Sequence, residues 1–457
     1  MDIIIVGIGK VGYSLAKSLS EGNNNITVID LKGSVIEKAN STLDVMCIEG
    51  NGVSVSTLLE AGVKTCDILI AVTSYDEINM VCCLMGKKLG AKYTIARIRE
   101  LYYHEEIYLL KEELELDMVI NPEEETAQAI AKKLQYASGN FVESFGMGGG
   151  GADLVEVIVD ENSILKNRTV IDISNNVYSK ILIAAVLRDK DVFIPNGSSF
   201  IKEGDTLYVI GNHSCIMEFF KKCGVRSDKQ IKNIMIVGGG KIALYLTELV
   251  RSTGMRTKVI EEDKDVSLVF ANTIHNGIVI NGDGTDEELL ISENLEDMDA
   301  FVALTGDDED NLMSALLAVE HKVPRVITKI SKGNYMHIVR KLGIRSVVSP
   351  SVITATGILK FIRMMGESRG SYIESLYRIL GEKVELTEYK ISSQFCALGV
   401  EIMNLDIEEG VLVAVILRGK EAIIPNGNST ILEGDSIIII TNQTLDMDLN
   451  TIFGGGV

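Results

Sequence analysis

Basic charge, proline and long apolar runs are all scarce in this chain, and each shortage excludes something. Lys and Arg number 44 against 64 Asp and Glu, leaving a net charge of −20 at pH 7. Such a surface repels nucleic-acid phosphates and anionic lipid, so neither nucleic acid nor direct insertion into a membrane is expected. Any membrane association would run through a protein partner; the acidity is equally consistent with simple solubility. Five prolines in 457 residues, beside 46 % hydrophobic content, exclude a disordered chain. No apolar run approaches the ~20 residues that cross a bilayer. Strand-length runs such as Ile181 to Leu187 and Ile437 to Ile440 fit strands buried on both faces, as in parallel α/β sheets. The opening run, Ile3 to Val6, enters a glycine turn directly and resembles no signal peptide, so a cytoplasmic protein is expected. The 7 cysteines include no C-x-x-C, and the 5 histidines no H-x-x-x-H or H-E-x-x-H, so no metal site is expected. Cys82 and Cys83 are adjacent and read as reduced, buried thiols.

What the chain has instead is repetition. Residues 3–12 read IIIVGIGKVG and residues 234–243 read IMIVGGGKIA, each a β-branched run entering a glycine turn and a helix start. Gly7 and Gly238 stand 231 positions apart, and so do the acids that follow them, Asp30 and Glu261. VMCIEGNG at 45–52 then matches GIVINGDG at 277–284, and CDILIAVT at 66–73 matches MDAFVALT at 298–305. Acid-rich helix starts carry Asp76, Glu77 and Asn79 in the first half and Asp308, Glu309 and Asn311 in the second. YTIARI at 93–98 matches RVITKI at 325–330. Asn51 and Asp283 are 232 apart, so one residue is inserted between the acid and the third strand. Short apolar strands alternating with helical stretches imply right-handed βαβ units and a parallel, doubly wound sheet in each half.

Asn121-Pro122 and Ser349-Pro350 next open helices, a polar cap before proline in the first turn. The glycines at 146–151 follow, either a flexible linker or a wide hairpin turn. A second module type then appears twice. ILIAAVLRDKDVFIPNGSSFIKEGDTLYVIG and VLVAVILRGKEAIIPNGNSTILEGDSIIIIT share IPNG turns starting at Ile194 and Ile424, and EGD turns ending at Asp205 and Asp435. Strands separated by such turns indicate a β-rich unit. The expected layout is a nucleotide-binding domain at 1–120, a crossover helix and connector at 121–145, and a β-rich module at 146–225. The second half repeats it at 231–348, 349–378 and 379–457, with the junction near 225–233.

The glycine turns suit phosphate. Gly7 permits the tight turn, Gly9 a close approach of backbone to pyrophosphate, and Gly12 close helix–strand packing. The amides of Ile8, Lys10 and Val11 open a helix whose dipole favours an anion. Gly238, Gly239, Gly240, Lys241 and Ile242 preserve the pattern, with Ala243 in the place of Gly12. Asp30 can accept ribose hydroxyls and repel a 2′-phosphate, favouring NAD over NADP, and Glu261 is one methylene longer. Either unit could instead be a vacant fold kept for packing. Asn51 and Asp283 can reach a ribose or adenine edge, or merely shape a turn. Thr73 with Ser74, and Thr305 with Gly306, end the fourth strand, where ligands sit or a helix is capped. Arg97 and Arg99 can neutralise phosphate, pair with acids across an interface, or form ordinary salt bridges. Lys329 and Ser331 replace them in the second half, so the two sites should differ in preference.

A dehydrogenase also needs a substrate clamp and an acid or base. His104 falls opposite Met336, with His337 one position off, and reads as solvent-facing. The β-rich modules show no His–Asp or Cys–His set, and His213 stands alone. Two binding units without catalytic residues read as a sensor. A nicotinamide-dependent oxidoreductase remains one alternative. Another is a sensing subunit of a different channel or transporter, its β-rich modules taking a cyclic dinucleotide or a metal ion.

The repeated order of the units, IIIVGIGKVG, EGNG, ILIAVTSYDEINM, IARIR, the NP-opened helix and the IPNG/EGD modules resemble the TrkA family. These are peripheral regulatory subunits of Trk potassium uptake systems, built from RCK (or KTN) N- and C-domains. The resemblance spans essentially the whole chain, and the tandem arrangement is specific to this type. It implies an α/β protein of two Rossmann-like doubly wound parallel-sheet domains, each followed by a small β-rich α+β RCK C-domain. It implies no catalysis and a homotetramer beneath a membrane potassium-translocating subunit of TrkH/TrkG type, peripheral to the inner face of the cell membrane. NAD(H) and ATP/ADP would be regulatory ligands. Carried over residue by residue, the first site is Gly7, Ile8, Gly9, Lys10, Val11, Asp30, Asn51, Thr73, Ser74 and Arg97. The second is Gly238, Gly239, Gly240, Lys241, Ile242, Glu261, Asp283, Thr305 and Lys329. The departures, Glu261 for aspartate and Lys329 for arginine, leave the second site's nucleotide open.

Overall fold

The computed structural model describes residues 1–457 except 21–23, 101–102, 104–106, 137–139, 147–150, 178–179, 190, 224–230, 275–276, 333–334, 345, 365–370, 380–383, 409, 420, 443–448 and 455–457. His104 and most of the expected junction therefore lie outside the described residues. The chain forms two compact units, and neither is one half of the sequence. Met1–Ala131 gathers with Lys232–Leu359, and Lys132–Ile231 with Lys360–Val457.

The first unit holds two parallel sheets. Strands β1 (Asp2–Val6), β2 (Asn25–Asp30), β3 (Met46–Glu49), β4 (Ile68–Ala71), β5 (Tyr93–Arg97) and β6 (Met118–Ile120) run in the order β3-β2-β1-β4-β5-β6. Those of the second half are β12 (Asn233–Val237), β13 (Arg256–Glu261), β14 (Gly277–Asn281), β15 (Ala300–Ala303), β16 (Arg325–Lys329) and β17 (Ser346–Val348). They repeat that order as β14-β13-β12-β15-β16-β17. Helices on both faces bury the β-branched runs: Ile3, Ile4, Ile5 and Val6 are all but inaccessible, as are Ile234 to Val237. Glu49 pairs with Asp30 and Asn281 with Glu261, so the inserted residue is absorbed before these pairings. Strand order reverses between β1 and β4, and between β12 and β15, which opens a crevice at the carboxyl ends where each glycine turn lies.

The second unit holds two antiparallel sheets. One is β7 (Asn140–Phe145), β8 (Ala152–Ile158), β9 (Leu182–Arg188), β10 (Asp191–Phe193) and β11 (Thr206–Gly211), in the order β10-β9-β11-β8-β7. The other is β18 (Ser371–Ile379), β19 (Val384–Ile391), β20 (Val411–Arg418), β21 (Glu421–Ile423) and β22 (Ser436–Thr441), in the order β18-β19-β22-β20-β21. Phe145 pairs with Ala152 across the glycine run, so the run joins the arms of a hairpin, with 147–150 outside the described residues. Each sheet thus begins earlier than the expected module starts at 146 and 379, because β7 and β18 lie in segments read as connector.

Two of the strand-length apolar runs correct the expectation that they mark parallel strands. Ile181 to Leu187 enters β9 and Ile437 to Ile440 is β22, both antiparallel. Both faces are nevertheless buried. Ile437 and Ile439 point into their own module's core, while Ile438 and Ile440 join a second cluster that also contains Tyr208, Ile210, Ala184 and Phe145 of the other module. Strand alternation supplies both cores at once. The EGD turns are tied down the same way twice. Arg188 forks onto buried Asp205 at 2.8 and 2.8 Å, and Arg418 onto buried Asp435 at 2.9 and 2.7 Å. The same carboxylates accept the Lys202 and Leu432 amides at 2.7 and 2.8 Å. A guanidinium fork on a carboxylate that also holds a turn explains why Arg and Asp recur at one spacing in both modules.

Candidate functional site

Each glycine turn is pinned by its own fold. Gly7 adopts φ +93° and Gly238 +99°, and a Cβ on Gly7 would lie 2.8 Å from the Thr73 nitrogen. The turn therefore leans on the end of β4, which brings Thr73 against it; Leu304 and Thr305 take that position in the second half. Gly9 and Gly240, by contrast, have no atom within 4 Å of where a Cβ would be. Lys10 and Lys241 directly follow these open positions and start helices Lys10–Ser20 and Lys241–Arg251. Val11 and Ile242, one residue on, are buried and anchor the helices. Backbone amides at an open helix start fit a phosphate-bearing ligand.

The acids do more than await a ribose. Asp30 accepts the Ile8 N–H at 2.7 Å on one oxygen and the Lys32 N–H at 2.9 Å on the other. Glu261 accepts the Gly239 N–H at 2.6 Å and the Asp263 N–H at 2.9 Å. Both carboxylates thus hold the glycine turn in shape, and each oxygen retains capacity for a hydroxyl donor. The longer Glu261 fits because Gly239 stands where the first half has buried Ile8. A Cβ on Gly239 would lie 3.2 Å from Glu261 Oε2. The pairs Ile8 with Asp30 and Gly239 with Glu261 change together.

Four supporting residues went unrecognised in the sequence beyond an acid-rich helix start. Buried Asn79 accepts the Thr73 N–H at 2.8 Å and donates to the Arg97 carbonyl at 2.9 Å, stitching β4 to β5. Asn311 does the same for Thr305 at 2.7 Å and Lys329 at 3.2 Å. Buried Asp76 accepts the Arg99 and Glu100 amides at 2.7 and 2.9 Å, and Asp308 those of Ser331 and Lys332 at 2.9 and 2.8 Å. The capping role considered for Thr73 and Thr305 is not theirs. The helix caps are Tyr75, which makes no side-chain bond, and Asp307, which accepts from Glu309 and Asp310.

Asn51 and Asp283 shape turns, accepting the Val53 and Thr285 amides at 3.2 and 2.8 Å. The Thr285 hydroxyl and amide hold Asp283 below the usual carboxylate range. Arg97 and Arg99 lie 3.7 and 3.9 Å from Glu123, and Arg99 also 3.6 Å from Asp76. The Nε groups of both arginines are sealed from solvent without a hydrogen-bond partner. Arg99 also donates to the Ser74 carbonyl. Burial pulls the Lys329 ammonium downward, Lys10 pushes the same way, and Asp308 and Glu123 oppose them. Lys10 and Lys329 belong to different halves, so the carboxyl edges of the two parallel sheets share one field within the first unit. Lys241 and Glu100 also meet across the halves, at 2.6 Å, and Asn121 donates to the Tyr245 hydroxyl at 2.9 Å.

His213 does not stand alone. Its Nδ1 lies 2.8 Å from the Tyr136 hydroxyl and 3.6 Å from Asp153, which also accepts the Ser144 hydroxyl. The carboxylate sits between serine and histidine, so the imidazole is not placed to take the serine proton as a nucleophile's base must. The contact escaped the sequence because its members are spread from Tyr136 to His213.

Family models for the TrkA-N domain match residues 3–122 and 234–350, and models for the TrkA-C domain match 154–224 and 387–445. A Trk system potassium uptake protein TrkA homolog of Methanosarcina mazei is 31 % identical over 461 residues, covering 99 % of this chain and 100 % of that protein. The Trk system potassium uptake protein TrkA of Haemophilus influenzae is 30 % identical over 446 residues, covering 96 % and 95 %. Among solved structures, the GsuK channel bound to NAD superposes with a TM-score of 0.61 at 16 % identity, covering 100 % of this chain and 79 % of that one.

Proposed function

The chain belongs to the TrkA family of potassium uptake proteins, and from that premise we propose that it is the nucleotide-sensing regulatory subunit of a Trk-type system. On this reading it does not catalyse a reaction. It assembles as a homotetramer at the inner face of the cell membrane and gates a TrkH/TrkG-type potassium-translocating subunit. NAD(H) and ATP/ADP are its ligands. No helix among the described residues is long and apolar enough to cross a membrane, which fits attachment through a partner.

The observation that carries the reading is the pair of open glycine cradles, at Gly9 and Gly240, each braced by an acid and brought to one field within a single compact unit. A phosphate would take the helix-start amides, and the ribose hydroxyls would find the free lone pairs of Asp30 and Glu261. Ligand bound there bears directly on the contact between the two parallel-sheet domains. Regulation requires that the ligand bind two arrangements of that contact unequally; equal affinity would move nothing. The test is potassium flux through the reconstituted complex. Gly9→Asp with Gly240→Asp puts carboxylates where phosphates would lie, in space that admits them, and is expected to abolish nucleotide dependence. Unchanged nucleotide-dependent flux would overturn the reading.

A further inference from the structure

The two cradles differ in the charge that faces them from across the domain contact. Lys241 directly follows open Gly240, and its Nζ sits 2.6 Å from Glu100 Oε1, a residue 141 positions away in the first half. Both side chains are about one-third exposed, at 36 % and 37 %, so the pair lies at the mouth of the site. Glu100 is held there by its own backbone, because buried Asp76 accepts its amide at 2.9 Å.

The repeat provides an internal control. Lys332 is the counterpart of Glu100, its amide held by Asp308 at 2.8 Å in the same way. A cation therefore replaces the acid at the reciprocal position. Lys332 is drawn aside to Glu309 at 2.6 Å. Lys10, the counterpart of Lys241, makes no ion pair among the described residues, and Lys329 of the other half adds a second positive charge to its surroundings.

We propose that Glu100 sets the nucleotide preference of the second site by neutralising Lys241, so that this site favours NAD(H) while the first favours ATP and ADP. The inference rests on the reading of both turns as nucleotide cradles. The pyrophosphate of NAD(H) is esterified at both ends and carries less charge than the terminal phosphates of ADP or ATP. A carboxylate beside the only cation of the helix start repels that extra charge, a discrimination made by repulsion as much as by attraction.

The test uses the full-length chain carrying Gly9→Asp, so that only the second cradle reports, with ATP, ADP and NADH titrated calorimetrically. Glu100→Gln is expected to tighten ATP about tenfold, ADP less, and NADH by less than about twofold. Lys241→Gln in the same background should remove most of that gain, because the acid acts through the lysine. The converse Gly240→Asp protein should prefer ATP over NADH. If Glu100→Gln moves ATP and NADH equally, or neither, while Gly240→Asp still abolishes binding, the charge gate is overturned and the cradle stands. If no nucleotide binds the second half with or without Glu100, both the gate and the nucleotide reading of that site fall.

Discussion

Glu125 is a carboxyl group that the first unit buries with little to hold its charge. Its Oε2 is sealed from solvent without a hydrogen-bond partner, and its Oε1 would lie 3.3 Å from a Cβ on Gly357, in the helix Pro350–Met364. Burial, with neighbouring Glu124 adding to it, pushes its pKa up to about 8 from 4.5. The residue at the equivalent place in the other crossover helix, counted from Pro122 and Pro350, is Ile353. An acid raised in the folded state keeps its proton where the unfolded chain has lost it. Its contribution is therefore fully present below pH 4.5 and is lost as pH rises through about 8. Glu125→Gln should remove that dependence and raise stability above pH 8, by roughly 2–4 kcal/mol. Denaturant melts of the wild type and variant from pH 5 to 9, in steps of about one unit, check this. Parallel stability–pH curves would count against it. The same side chain lies on the helix Pro122–Gln135, preceded by Asn121, whose side-chain amide donates to Tyr245 of the second half. A proton on Glu125 thus bears on the contact through which the proposed nucleotide regulation would act.

At the scale of elements, the site depends on asparagines that touch no ligand in the proposed mechanism. Asn79 joins the ends of two neighbouring strands through four backbone or hydroxyl contacts and Asn311 through three backbone contacts, and both are wholly buried. Asn79→Ala leaves the Thr73 amide and the Arg97 carbonyl without their partner, at a cost of about 2–4 kcal/mol. It should also loosen the strand end on which Gly7 leans. The expected result is a lower Tm together with weaker nucleotide binding at the first site, while Asn311→Ala acts on the second. Thermal melts with and without nucleotide separate the two, and a variant that binds normally after losing stability would confine Asn79 to packing. The strands, glycine turns and acids were legible because they recur at one spacing and with one periodicity. Asn79 and Asp76 recur too, yet they looked like a helix start, since their partners lie 18 and 23 residues away. The runs in β9 and β22 were misread for a related reason. Continuous burial is visible in a sequence, but whether a helix or another sheet covers the second face is not.

For the whole molecule, the decisive fact is that the two small modules contribute equivalent positions to one core. The cluster shared by the small modules contains Ala184 with Ala414, Ala185 with Val415, Tyr208 with Ile438 and Ile210 with Ile440. Members of each pair stand 230 positions apart. Each half thus presents the same surface to the other, and the contact is close to self-complementary, as between identical subunits. The parallel-sheet domains also meet across the halves, through Lys241 on Glu100 and Asn121 on Tyr245. This organisation was beyond the sequence, where the strongest inference from a tandem repeat is two independent halves. It also sets what a half can do alone. A chain of residues 1–223 exposes Phe145, Leu154, Tyr208 and Ile210, which are nearly inaccessible in the whole protein. Such a fragment should bind a second copy of itself through this cluster and should exchange that copy for residues 231–457 when the two are mixed. Light scattering would then report a dimer for the single fragment and a mixed dimer of about full-chain mass after co-refolding, the mixed form melting higher because its core is the evolved one. A fragment that stays monomeric with a cooperative melt would show that each half closes its own core, and that the shared cluster is dispensable.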